Sequence, residues 1–261
     1  MILNYDHAGA GPAIVLLHAR PADRTQWREL VALLAAAGYH AIAPDLAGYG
    51  SSRAPTDRPA APWADVRDTL DDLGVDRALL VGNSLGAQTA LQLAATWPDR
   101  VVGMCLMGFR RHDQPASPRL TQAWEREAAA LSKGDLAAAG DAGVAAWLSP
   151  AAGPAVREVL TNALRNNLSR RDDPGELAPD PLADDECWTA MTMPTRILHG
   201  ADDMPDFAEG AQRLRDELRA PDITIVADAA HLLPLERPAP VATAIFNLAN
   251  DIRTTSGQSS W

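Results

Sequence analysis

Cysteine is nearly missing from this chain. It has two in 261 residues, Cys105 inside the apolar run VVGMCLMG and Cys187 in an acidic segment. Neither spacing fits a metal site or a redox pair, and two cysteines do not make a disulfide framework, so a reduced cytoplasmic setting is expected. Long apolar stretches are missing too: no window approaches the ~18 uninterrupted residues of a membrane span. The N-terminal text MILNYDHAGAGP carries neither a basic nor an apolar section, so no secretory leader is expected. Positive charge is in deficit, with 23 Lys and Arg against 34 Asp and Glu and a formal net charge of −11. That balance argues against nucleic acid or an anionic membrane as partner, because both select basic patches.

What the chain does have is enough apolar content, 47%, for a full core. Its length suits one large domain, or a domain carrying a smaller insertion. Short apolar runs bounded by turn residues recur at 13–18, 40–46, 78–84, 101–108, 195–200 and 223–228. Continuous rather than alternating hydrophobicity predicts strands buried on both faces, as in a parallel sheet under helices. Between them, TQWRELVALLAAAG puts Trp27, Leu30, Val31 and Leu34 on one helical face and stops at Gly38. WADVRDTLDDLG repeats the pattern with Val66, Leu70 and Leu73. Alternating strands and helices predict an α/β fold, a doubly wound, mostly parallel sheet. The alternation fails at 111–192, which is Ala-rich, helical and broken by Pro and Gly. The expected organisation is therefore a core of 1–110 and 193–253, an all-helical insertion at 111–192, and a disordered polar tail at 254–261.

Three features carry chemistry. Gly82-Asn83-Ser84-Leu85-Gly86 fits G-x-S-x-G between a predicted strand and a predicted helix. A tight strand-to-helix turn there lifts the serine oxygen clear of the sheet and sets it against free N–H groups at the helix start. His231, in the loop after the last strand, is the best-placed base, and Asp202 and Asp203, just past the strand ending at Gly200, offer a carboxylate to orient it. All three lie at C-terminal strand ends, where parallel sheets place their sites.

With these pieces in hand, the chain resembles the α/β-hydrolase superfamily over nearly its whole length. The matching text is GAGPAIVLLHA, Trp27, APDLAGYGSS, VGNSLGAQTALQLAATWPDRV, HGADD and AAHLLPLERP. The resemblance implies a Ser84–His231–Asp203 triad, with Asp202 as the fallback acid, and oxyanion N–H donors from Arg20 and Leu85. It implies that the 111–192 insertion is a lid, and that His18, His199 and Tyr49 support loops. Serine at the elbow departs from related dehalogenases and epoxide hydrolases, which place aspartate there. The implied reaction is hydrolysis of a small ester or lactone with no cofactor and no metal. A cyclase, lyase or ligand-binding module on the same fold is the alternative. Two departures from the family pattern stand out: Arg20-Pro21 after His18-Ala19, where glycine is usual, and Ala87 in place of a second glycine. The Arg20 side chain is a candidate for binding a substrate carboxylate. Trp124, Trp147 and Trp188 of the insertion are candidates for lining the pocket. Neither the substrate's identity nor the oligomeric state follows from the sequence.

Overall fold

All six apolar runs become strands in the computed structural model, which describes residues 1–170 and 176–256. They are β2 (Ala13–Leu17), β3 (His40–Pro44), β4 (Ala78–Asn83), β5 (Val101–Met107), β6 (Thr195–Gly200) and β7 (Thr224–Val226). A further strand, β1 (Tyr5–Ala8), pairs antiparallel with β3 at the sheet edge. Its text, YDHA, has no apolar run, and its residues are at least partly exposed, so the hydrophobicity pattern does not announce it. Among the described residues the sheet order is β1-β3-β2-β4-β5-β6-β7, with every pair after β1–β3 parallel. The chain leaves β2 for β3 on one side and returns to β4 on the other. The strand order therefore reverses between β2 and β4, the crevice where open α/β sheets bind ligands.

Both faces of the sheet are covered. Successive strand residues split between two cores, as a period of two requires. Val15, Leu17, Leu80, Leu106 and Ile197 pack with α2 (Pro62–Asp72), α3 (Leu85–Thr96) and α8 (Pro205–Glu217). Ile14, Leu16, Leu79, Val81 and Leu198 pack with α1 (Arg28–Ala36) and α10 (Pro238–Ser256). Trp27, Leu30 and Leu34 are fully buried, and α1 is followed by Gly38 at φ 87°, a left-handed stop that costs glycine little. A short helix, α9 (Leu233–Glu236), follows His231. Helix α10 runs through Ser256, into the segment expected to be a disordered tail, and positions 257–261 lie outside the described residues.

Between β5 and β6 the chain forms α4 (Pro118–Ser132), α5 (Leu136–Trp147), α6 (Pro154–Arg170) and α7 (Glu186–Ala190). Two of the prolines that interrupt this stretch, Pro118 and Pro154, open α4 and α6, where the missing N–H is no loss. The Ser117 and Asp135 side chains cap α4 and α5 by accepting from Leu120 N and Ala138 N. A third apolar cluster seats α4, α5 and α6 beside the strand ends: Leu120, Trp147, Leu148, Leu160 and Leu164 meet Ala19, Ala22, Met204, Phe207 and Leu232. A lone parallel bridge, Ala60 to Leu177, adds a second tie.

Candidate active site

The turn from β4 into α3 puts Ser84 at φ 55° and ψ −112°, a backbone conformation that is unusual for a residue with a side chain. The turn holds because nothing larger than hydrogen fits beside it. A Cβ on Gly86 would lie 1.9 Å from the Leu17 carbonyl oxygen, and one on Gly82 would lie 2.5 Å from the Gly86 carbonyl oxygen. Ser84 N–H donates to the Met107 carbonyl at 2.8 Å, tying the elbow to β5. Leu85 opens α3, so its N–H precedes any intrahelical acceptor. Arg20 lies within a turn closed by Ala22 N–H donating to the Ala19 carbonyl at 3.0 Å. No described residue accepts from the backbone N–H of Arg20 or Leu85.

His231 is 1% exposed, and its Nδ1 lies 3.0 Å from Asp203 Oδ2. Asp203 Oδ1 accepts from Met204 N–H at 2.7 Å, so both carboxylate oxygens are engaged. An acceptor at Oδ2 places the imidazole proton on Nδ1 and leaves Nε2 free as a base. The rings of Phe207 and Trp147 sit 4.1 Å and 4.9 Å from the imidazole, centroid to centroid, and confine it. Asp202 turns the other way: its Oδ2 accepts from the Ser149 hydroxyl at 2.5 Å, at the end of α5. Ser84 and His231 line one cavity of about 270 Å³. Among the described residues no hydrogen bond joins Ser84 Oγ to His231 Nε2, a bond that in ligand-free sites commonly tightens only when substrate binds.

Beneath this cavity lies a chain of buried amides that sequence reading missed. Ala19 N–H donates to Gln26 Oε1 at 3.3 Å, Gln26 Nε2 donates to Asn83 Oδ1 at 3.0 Å, and Asn83 Nδ2 donates to the His231 carbonyl at 2.9 Å. Asn83 therefore links the serine turn to the histidine loop and, through Gln26, to the Arg20 loop. An x in G-x-S-x-G gives no hint of this. Asn83→Ala would leave two buried groups unpaired, and an unpaired buried group costs about 1–3 kcal/mol. We expect a stability loss of that order in urea titration, together with lower kcat. Glu236 is a second tie: its carboxylate accepts from Ala230 N–H at 2.9 Å and from Ser149 N–H at 2.7 Å, joining the histidine loop to the end of α5.

The remaining predicted residues divide. Trp124 and Trp147 line the cavity with Ser84, whereas Trp188 lines an adjoining lobe and packs edge-on to Phe109. The Arg20 guanidinium pairs with Glu127 of α4 at 2.8 Å. His18 bridges two loops, its Nδ1 2.9 Å from the Ala19 carbonyl oxygen and its Nε2 accepting from Leu46 N–H at 2.9 Å. Tyr49 packs edge-on against it. Burial lowers the pKa of His18 and of His199, whose Nδ1 is buried without a partner among the described residues. Burial pushes the Cys105 thiol up to about 12, so it is inert as a nucleophile. Residues at the cavity not foreseen from sequence are Phe207, Phe109, Gln88, Arg110 and His112.

The alpha/beta hydrolase family matches residues 14–244 of this chain, and the chain belongs to that family. An epoxide hydrolase from Caballeronia sordidicola is 35% identical over 132 residues, 48% of this chain and 40% of that protein. A thermophilic esterase from Thermogutta terrifontis superposes with a TM-score of 0.77 at 23% identity, over 96% of this chain and 93% of that one. Est816, described as an N-acyl homoserine lactone degrading enzyme, gives 0.76 at 25% identity, over 94% and 96%. The chain spans about two-fifths or less of the length of the curated relatives it matches. None of the described helices is long and apolar enough to cross a membrane.

Proposed function

We propose that this chain is a cofactor-independent serine hydrolase that cleaves a small carboxylic ester or lactone through an acyl-enzyme on Ser84. One observation carries the reading. A serine on a strained turn at a helix start shares a cavity with a histidine whose other nitrogen is held by a buried aspartate. Ser84 Oγ attacks the substrate carbonyl carbon while His231 Nε2 takes its proton. The oxyanion that forms accepts from the N–H groups of Arg20 and Leu85. Collapse of this intermediate breaks the carbon–oxygen bond, and His231 returns the proton to the leaving alkoxide. Water, deprotonated by the same nitrogen, then attacks the acyl carbon and frees Ser84. Asp203 holds the imidazole in the required tautomer and balances its charge. Helices α4–α7 act as the lid, shaping the cleft and limiting water. The unpaired cysteines suit the reduced cytoplasm.

Epoxide hydrolysis is the second reading, favoured by the activity named for the relative from Caballeronia sordidicola. Serine weighs against it on chemical grounds. An alkoxide that opens an epoxide forms an ether to the enzyme, and an ether offers water no carbonyl to attack. Turnover would stop after one event. A fluorophosphonate probe, followed by peptide mass mapping, tests the main reading: we expect stoichiometric phosphonylation of Ser84 and loss of activity on aryl esters. An unmodified Ser84 would mean that the hydroxyl is not activated, as in a ligand-binding module. Steady turnover of styrene oxide at a rate above that of any ester would favour the second reading.

A further inference from the structure

Two arginines reach the cavity that holds Ser84, and they differ in one respect. Arg20 is matched by Glu127. Arg110 has no carboxylate within ion-pair distance among the described residues; its hydrogen bond is from Nη2 to the Gln114 carbonyl, and its guanidinium carbon lies 5.8 Å from the centroid of the Trp124 ring. Its Nε is buried and has no acceptor. Scarcity of acids does not explain this in a chain of net charge −11. The next residue, Arg111, is paired with Asp113 and Glu217. Asp113 and Asp180 line the adjoining lobe, but Asp113 also pairs with Arg213, and Asp180 accepts from Gln92 Nε2 and Leu182 N–H. A half-buried cation left without a counter-charge beside a reactive serine is a site for an anion that arrives from outside.

The rest of the cleft agrees with a substrate of two unlike ends. Beyond Arg20, Pro21 and Leu85 opens a larger lobe of about 370 Å³, walled by Leu131, Leu164, Leu168 and Leu177. Those three dividing residues line both lobes, and two of them are the proposed oxyanion donors. A scissile carbonyl held there has an apolar lobe on one side and Arg110 on the other. Beside Arg110, Gln88 Nε2 lies 2.7 Å from His112 Nε2, so a polar amide and an imidazole share that end. We infer that Arg110 forms the anion-binding end of the substrate cleft, and that the substrate is an ester or lactone bearing a carboxylate. The inference rests on the reading of Ser84 as nucleophile and narrows it to a substrate class. A guanidinium fork matches a carboxylate with two parallel hydrogen bonds, which a lysine cannot reproduce.

The test is a ratio of kcat/KM values. One pair of substrates carries the charge on the acyl side, 4-nitrophenyl hydrogen glutarate against 4-nitrophenyl valerate. The other carries it on the leaving group, 4-acetoxybenzoate against its methyl ester. Arg110→Gln is expected to lower the charged-to-neutral ratio about 10- to 100-fold in at least one pair, mainly through KM, with Arg110→Lys in between. An unchanged ratio in both pairs overturns the assignment. So does a collapse in Arg20→Gln with none in Arg110→Gln. Should Arg110→Gln fail to fold, competitive inhibition of the unmodified enzyme decides: glutarate must inhibit more strongly than glutaramide, and equal inhibition sinks the idea. If no ester is turned over at all, glutarate titrated against the tryptophan fluorescence of Ser84→Ala separates the two claims. Saturable quenching that weakens when Arg110→Gln is added keeps the anion site while hydrolysis falls; no saturable quenching removes the anion site.

Discussion

Ser84→Ala is expected to lower kcat for aryl esters by about 10⁴–10⁶-fold, the scale seen when a serine nucleophile is removed from a triad. Its thermal midpoint should stay within about 2 °C of the parent, because the change deletes one oxygen at a surface-lining position. The strained turn is enforced by Gly82 and Gly86 against neighbouring main chain, not by the serine side chain, so alanine inherits the same φ. Ser84 Oγ has no hydrogen bond to another described residue, so its loss leaves no buried partner unpaired. Circular dichroism melts and burst-phase ester kinetics on one preparation read both quantities. A variant that keeps more than a tenth of the parent kcat would show that the hydroxyl is not the attacking group. Parallel loss of fold and activity would point to a structural role instead.

How much of this was open to reading beforehand depends on what each residue touches. The six parallel strands were legible because burial on both faces leaves a continuous apolar signature, and the elbow was legible because its glycines are needed for close approach. Edge strand β1 was not, since an edge with one wet face needs no apolar run. Ser84 and His231 stand out in the sequence as candidates by their position at strand ends, and both line one cavity in the structure. Position alone leaves Asp202 and Asp203 equivalent, because only tertiary contacts say which of two adjacent turn residues faces inward; the family resemblance is what ranks Asp203 first. In the structure Ser149 takes one and His231 the other. Arg110 was invisible for a related reason. Its neighbour in sequence is also arginine, and only the pairing of Arg111 with Glu217 and Asp113 leaves Arg110 distinct. Partners far apart in the chain, such as Gln26 with Asn83 or Glu236 with Ser149, carry no local pattern at all.

Asp203→Asn is expected to cost about 10⁴ in kcat while leaving the site assembled, by the tautomer argument that governs such triads. The geometry makes the sign explicit. Met204 N–H donates to Asp203 Oδ1 at 2.7 Å, and a main-chain donor cannot be turned off. An asparagine at this position must therefore give its oxygen to Met204, which directs its NH₂ group at His231 Nδ1, 3.0 Å away in the parent. Two donors cannot face each other, so Nδ1 gives up its proton and accepts. The ring proton then moves to Nε2, the nitrogen required to take the proton from Ser84, and general-base catalysis stops. Burial sharpens the effect, because His231 is 1% exposed and solvent does little to compensate for the missing negative charge. Asp202→Asn is the matched comparison. Its Oδ2 accepts from the Ser149 hydroxyl, a role an amide oxygen fills equally well, so kcat should change by no more than a few-fold. Steady-state ester kinetics on the pair, with the His231 ring proton followed by NMR, separate the two carboxylates. Equal losses in both variants, or a downfield Nδ1 proton surviving in Asp203→Asn, would show that the buried aspartate does not set the tautomer.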